Sequence, residues 1–348
     1  MEAQPTSNIA IGNEVGADDQ KFRILSLDGG GVRGYLSATY LAEAEQFLDR
    51  ITNSTKPLGD RFDLICGTST GGIIALALAT GKTAKEISKL YENLIPRVFC
   101  REHRRSWLTK YWRPRYRSTG LRSELETFFG KADLTSVIRD VCVTGVALTT
   151  GTPRFYKSDY FTRNAGRAKE SLANIALGAT AAPTYFQAAE LDETQWMLDG
   201  GICCNNPAMV GITDALQFER KSKRGAEIPG KLEDLVMLSV GTGQQAQLPY
   251  AQPTCLDRLR FFHPTSPFTK MAHGGIWLWG NYFHEVAMCS QSLLVHSQAQ
   301  FLLKQRYHRF DPPLGTAMPL DAGERINELR NLGNMGKALE AFACKYLR

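Results

Sequence analysis

Apolar and polar positions divide most of this chain into short continuous apolar runs separated by stretches with a helical period. Phe22–Leu27, Phe62–Cys66, Val141–Leu148 and Leu235–Val240 are mostly apolar throughout. Such runs predict strands buried on both faces of a mostly parallel sheet. Between them, Tyr35–Arg50, Gly72–Thr80, Ala84–Leu94, Leu121–Phe129 and Pro207–Glu219 show helical spacing. Strands alternating with helices predict a three-layer α/β/α sandwich. After Val240 the pattern turns mainly helical, with a long candidate over Ile276–Lys304 and another over Asn334–Leu347. The absence of internal repeats and low-complexity linkers favours one continuous domain. The expected division is a flexible polar leader over 1–20, a main α/β domain over 21–245, and a mainly helical region over 246–348 packed on that same domain.

Composition narrows the class. With 43% hydrophobic and 22% charged residues in 348, the chain has the balance of an ordinary globular protein with a sizeable core. Its longest uninterrupted apolar run, Ile73–Ala79, is far short of a membrane span. The leader carries no basic residue and no apolar stretch of signal-peptide length. A cytoplasmic protein with at most peripheral membrane contact is expected. The eight cysteines form no C-x-x-C pair and no zinc-like cluster with histidine, so neither disulfides nor a structural metal is called for.

The candidate chemistry begins at residues 62–80, FDLICGTSTGGIIALALAT. A buried strand enters Gly67-Thr68-Ser69-Thr70-Gly71 and leaves as an apolar helix, the strand–turn–helix context of a nucleophile elbow. Ser69 would stand on a strained turn above the sheet edge, and Gly67 and Gly71 would let chain segments cross at close range. The helix behind Ser69 points its positive end toward developing negative charge.

Upstream, residues 28–34 read DGGGVRG. Gly29–Gly34 satisfies G-x-G-x-x-G, which raises a dinucleotide site and hence an oxidoreductase as an alternative. That fingerprint wants an acidic residue about 20 positions on, at the end of a second strand. Here Glu43, Glu45 and Asp49 fall in a helical pattern instead. A serine nucleophile needs backbone N–H donors from a neighbouring loop, and Gly29, Gly30 and Gly31 can supply them. The base is less evident. None of the six histidines (103, 263, 273, 284, 296 and 308) sits in a strand-end glycine context. In WMLDGGICCNNPA, residues 196–208, Asp199 precedes Gly200-Gly201 and a helix start at Asn206-Pro207. Taken alone, Asp-Gly-Gly reads as a plain turn.

Together, DGGGVRG at 28–34, GTSTGG at 67–72 and DGGICCNNPA at 199–208, followed by LSVGTG at 238–243, resemble the patatin-like phospholipases over roughly residues 21–245. The resemblance implies a Ser–Asp dyad with Ser69 as nucleophile and Asp199 as base. It implies an oxyanion loop of Gly29, Gly30, Gly31, Arg33 and Gly34, an elbow framed by Gly67 and Gly71, and a dyad turn at Gly200 and Gly201. The implied reaction is cleavage of fatty-acyl esters of membrane phospholipids through an acyl-enzyme. No EF-hand loop or carboxylate cluster points to calcium, and neither metal nor cofactor is expected. Met197, Leu198 and Ile202 would raise the Asp199 pKa toward the task of a base.

The formal charge of +6 is concentrated in residues 97–117, where eight Arg or Lys stand against one Glu and alternate with Phe99, Trp107, Tyr111, Trp112 and Tyr116. The remainder is close to neutral. The segment reads as a solvated loop whose arginines pair with acidic surface, as a docking surface for anionic headgroups, or as an arginine-lined site for a phosphorylated ligand. Arg104, Arg105, Arg113 and Arg115 are its candidate contacts. The compact architecture is also similar to bacterial patatin-like effectors of cyclic-oligonucleotide antiphage systems, which implies a cyclic-dinucleotide activator such as cGAMP. The expected partners are a phospholipid membrane surface at the inner membrane and that activator, with no nucleic-acid polymer. Self-association is left open, as is a scaffold role that would use the basic segment alone.

Overall fold

The computed structural model describes residues 21–99, 112–158, 169–192, 195–217, 220–221, 227–228, 231–245, 283–316, 318–333 and 337–347. Strand β1 spans Phe22–Leu27, β2 Leu64–Thr68, β3 Asp140–Ala147, β4 Thr152–Lys157, β5 Ala189–Asp192, β6 Gln195–Asp199, β9 Leu235–Val240 and β10 Tyr307–Phe310. These form one sheet ordered β10-β9-β1-β2-β3-β6-β5, with β4 also paired to β3. A two-residue ladder, β7 (Arg220–Lys221) with β8 (Glu227–Ile228), lies apart from it.

The strands β10, β9, β1, β2 and β3 run parallel, whereas β4 and β6 join β3 antiparallel and β5 joins β6 antiparallel. The parallel expectation therefore holds at the centre and fails at one side. Every residue of β1, β2, β3 and β9 is buried, as strands covered on both faces must be.

Alternation along the strands sorts side chains into two cores. Leu25 and Leu27 join a core with helices α1 (Gly34–Thr52), α2 (Thr70–Ala79), α3 (Ala84–Val98), α4 (Thr119–Phe129) and α5 (Leu172–Ala179). Phe22 and Ile24 join the opposite core with α6 (Ala208–Gln217) and α7 (Phe283–Leu303). Two further helices, α8 (Ile326–Leu332) and α9 (Lys337–Tyr346), pack on the α1 side. All ten residues of α2 are buried, which accounts for its apolar character all round. Helix α3 starts in a capping box, Thr83 with Glu86, and continues past Pro96 to Val98, further than its periodicity indicated.

The C-terminal region differs from a purely helical one. Residues 307–310 form β10 and extend the sheet beside β9, with Tyr307 opposite Met237 and Phe310 opposite Val240. Four residues are too few for a period-2 pattern to emerge from the surrounding sequence. No helix among the described residues is long and apolar enough to cross a membrane.

Candidate active site

The register of the sheet brings Ser69 and Asp199 together. Strand β2 pairs with β3 up to Thr68 opposite Thr144, and there it stops. From the next residue, Gly145, β3 pairs with Asp199 of β6. Since β4 occupies the other edge of β3 over residues 142–147, β2 and β6 share one edge end to end. The last residue of β6 therefore meets the first residue after β2.

Ser69 turns out of β2 with φ 53° and ψ −123°, a conformation that is strained for any residue but glycine. The turn tolerates no bulk at its flanks. A Cβ on Gly67 would fall 2.2 Å from the Gly71 carbonyl oxygen, and one on Gly71 would fall 2.3 Å from that of Leu27. Ser69 Oγ donates to Asp199 Oδ2 at 2.6 Å, and Gly201 N–H donates to Asp199 Oδ1 at 2.7 Å. Both side chains are buried, Asp199 at 2% exposure and Ser69 at 6%. Burial pushes the Asp199 carboxyl up to about 6, against the opposing hydrogen bonds from Ser69 and Gly201. Gly200 packs directly on Thr144, where a Cβ would fall 2.2 Å from Oγ1. Thr68 Oγ1 bonds to Thr144 Oγ1 at 2.7 Å and to the Cys204 carbonyl at 2.7 Å, tying the turn at Ser69 to the turn that follows Asp199.

The glycine loop lies between the ends of β1 and β9. Gly29 N–H is already given to the Asn205 carbonyl at 3.1 Å. The Gly29 carbonyl accepts from Thr242 Oγ1 at 3.0 Å and Asn205 Nδ2 at 3.4 Å. Gly29 is thus an anchor of the loop. Val32 N–H donates to the Leu320 carbonyl at 2.9 Å. The N–H groups of Gly30 and Gly31 bond to no described residue, and neither does that of Thr70 at the start of α2. Gly34 allows α1 to begin against that helix end, since a Cβ there would fall 2.1 Å from Thr70 Oγ1. The Arg33 side chain is buried and donates from Nε to the Gly30 carbonyl at 3.3 Å. It braces the loop from behind, and burial lowers its pKa.

Most of the contacts that support the site had no sequence signal. Asp28, which opens the glycine loop, is gripped by Arg309 of β10, with Nη2 to Oδ2 at 2.7 Å and Nη1 to Oδ1 at 3.3 Å. Arg309 also reaches Ser239 Oγ at 2.7 Å and Asp311 Oδ2 at 2.9 Å. Although burial would lower it, the carboxylates of Asp28 and Asp311 hold the Arg309 guanidinium above its ordinary pKa. Asn206 Oδ1 accepts from Ala208 N–H at 3.0 Å and from Ser26 Oγ at 3.3 Å, capping α6 against β1. The capping role was legible in Asn206-Pro207; the anchoring of Gly29 by Asn205 was not.

Of the six histidines, His103, His263 and His273 fall outside the described residues. His296 contacts the Tyr307 hydroxyl at 3.2 Å and His308 stacks on Phe342, while no described residue bonds the ring nitrogens of His284.

Of the basic segment, Arg104 and Arg105 lie outside the described residues and Arg113 is exposed. Arg115 is engaged within the chain. Its Nη1 donates to Asp321 Oδ2 at 2.7 Å and its guanidinium lies 4.8 Å from the Tyr185 ring centroid. Tyr116 OH shares Asp321 Oδ2 at 2.9 Å. For Arg115, pairing with the chain's own acid is what the structure shows.

Beside the elbow a narrow apolar cleft, with about 50 Å³ of free space, opens at Gly31, Val32 and Thr70 and runs between α2 and α3 past Ile73, Leu94 and Phe99. Tyr91 OH donates to the Thr70 carbonyl at 2.8 Å, so the tyrosine's polar end is satisfied where the cleft meets the elbow. No group of three or more His, Cys, Asp or Glu among the described residues is placed to hold a metal ion.

A sandwich whose strand ends converge on a serine elbow, a buried carboxylate and an apolar cleft defines an α/β enzyme of hydrolytic type. Residues 25–212 match the family model of the patatin-like phospholipases, and the chain belongs to that family of lipid-hydrolysing enzymes. It is 36% identical over 252 residues to a cGAMP-activated phospholipase of Escherichia coli (strain TW11681), covering 70% of this chain and 68% of that protein. A cGAMP-activated phospholipase of Vibrio cholerae serotype O1 is 33% identical over 290 residues, covering 78% and 75%. Patatin-like protein 1 of Oryza sativa subsp. indica is 28% identical over 254 residues, covering 67% and 61%.

Proposed function

We propose that the chain cleaves fatty-acyl esters of membrane phospholipids through a Ser69–Asp199 dyad. The hydrogen bond from Ser69 Oγ to the buried Asp199 carboxylate carries this reading. Asp199 takes the serine proton as Oγ attacks the acyl carbonyl carbon, and then gives that proton to the departing lysolipid oxygen. Water attacks the acyl-enzyme in a second step, deprotonated by the same carboxylate, and the fatty acid leaves from Ser69. The N–H groups of Gly30, Gly31 and Thr70 receive the oxyanion, because each is a backbone donor without a described partner, whereas Gly29 is committed to Asn205. The apolar cleft receives the acyl chain. A dinucleotide cofactor finds less support, since the loop's neighbours are a nucleophile and its base.

The base must be ionised to act, so kcat/KM on a soluble ester should rise with pH through about 6, the value at which burial sets Asp199. Activity at pH 5 is expected to be about tenfold below that at pH 7. A profile flat from pH 5 to 8 would remove Asp199 as the base.

Regulation by a cyclic dinucleotide is supported by the two bacterial relatives, whose names describe them as cGAMP-activated. The proposed site of action is peripheral, at the inner membrane surface, with the exposed Trp112 and Arg113 of the basic segment facing headgroups. Fatty-acid release from anionic vesicles should rise when cGAMP is added, and should fall as salt screens the surface. Release that ignores saturating cGAMP removes the activator, and release indifferent to both salt and vesicle charge removes electrostatic docking.

A further inference from the structure

We propose that Phe99, at the C-terminal end of α3, is the wall that ends the acyl cleft and sets the acyl-chain length the enzyme prefers. The inference rests on the proposed binding of the acyl chain in that cleft. Besides the cleft, a second, more polar cavity of about 630 Å³ adjoins α3's end, bounded by Pro96, Arg115, Tyr116, Asp321, Ala322 and Glu324. Among the described residues, Ile95 and Phe99 alone line both. They are the partition between a chamber beside the nucleophile and a larger one behind it.

The helix gives the partition its depth. Tyr91 meets Thr70 at the elbow, and Phe99 lies eight residues further along α3 and its C-cap, about 12 Å away at the helical rise. A chain entering at Thr70 therefore runs past Ile73, Leu94 and Ile95 before it reaches the Phe99 ring. That ring stands edge-on to Tyr116, with centroids 5.2 Å apart, and 6.1 Å from Phe186. Removing it would leave an opening that its neighbours cannot close easily. Tyr116 is held by its hydroxyl on Asp321 and by its backbone N–H on the Tyr185 carbonyl at 2.8 Å. Pro96, Pro319 and Ala322 offer apolar surface to the methylenes that pass through. Each methylene so buried adds to the binding of a longer chain.

The test is the ratio of kcat/KM for a palmitoyl ester to that for an octanoyl ester of the same chromogenic alcohol, measured in the wild type, Phe99→Ala and Phe99→Leu. The ratio should rise at least about tenfold in Phe99→Ala and less in Phe99→Leu, which retains part of the wall. Structural damage alone would lower both esters together and leave the ratio unmoved. If Phe99→Ala does not fold, the ratio in Phe99→Leu decides. Wild-type hydrolysis with an unchanged ratio in the folded variants overturns the partition alone. Failure of the wild type to hydrolyse either ester would overturn the hydrolase reading first, and this inference with it.

Discussion

Ser69→Ala should lower ester hydrolysis by about 10⁴-fold or more, and Asp199→Asn by about 10³- to 10⁴-fold, with the double variant no worse than Ser69→Ala alone. In the proposed dyad the two groups act through one proton, so once the nucleophile is gone the base has nothing left to accept. Neither change should unfold the protein. Asn at 199 retains an oxygen for the Gly201 N–H and a group to meet Ser69 Oγ. It also removes a buried charge. The folded Asp199 carboxyl sits at about 6 against an ordinary 3.8, so the fold binds this proton more tightly than the unfolded chain does. Stability from this group therefore grows as pH falls through about 6 and is missing above it, a deficit on the order of 3 kcal/mol. Asp199→Asn should be at least as stable as the wild type at pH 8. Kinetics, circular dichroism and labelling by a fluorophosphonate check the set. A folded single variant with near-full activity, or losses that multiply in the double variant, would dismantle the dyad.

The second large effect belongs to Arg309. Its guanidinium joins Asp28, Ser239 and Asp311, and its side chain is only 6% exposed. Arg309→Met leaves the Asp28 carboxylate buried and uncompensated, and should cost about 3–5 kcal/mol in urea unfolding. Adding Asp28→Asn removes the stranded charge, and the double variant should recover part of that loss. The glycine loop starts at Asp28, so residual hydrolysis in folded Arg309→Met should be impaired as well. A loss below about 1 kcal/mol, or no recovery in the double variant, would show that the pair does not hold the strand ends together.

Local physics was readable in the residues alone. Phe22–Leu27 and Leu235–Val240 are strands over the same bounds that their apolar runs indicate, because both lie at the centre of the sheet with both faces covered. The elbow was legible for a similar reason. Only glycine fits where Gly67 meets Gly71 and where Gly71 meets Leu27, and those constraints lie within a few residues or on the adjoining strand.

Long-range pairing was not legible. Arg309 and Asp28 are 281 positions apart, and a lone arginine in YHRF carries no mark of the carboxylate it will meet. Pairing of the basic run with acidic groups could be expected, but nothing local marked Asp321, 206 positions away, as the partner of Arg115. The residues that carry the chemistry are marked locally: a serine on a forced turn, an aspartate before two glycines, a loop rich in backbone donors. That they lie together follows from the fold, because the end of β2 and the end of β6 are brought into line by their register on β3. The fold also decided which donors remain, since Gly29 looks like Gly30 and Gly31 until the Asn205 carbonyl, 176 residues away, takes its N–H. Backbone hydrogen bonds between distant segments depend on where the chain returns, and no local pattern of side chains encodes that.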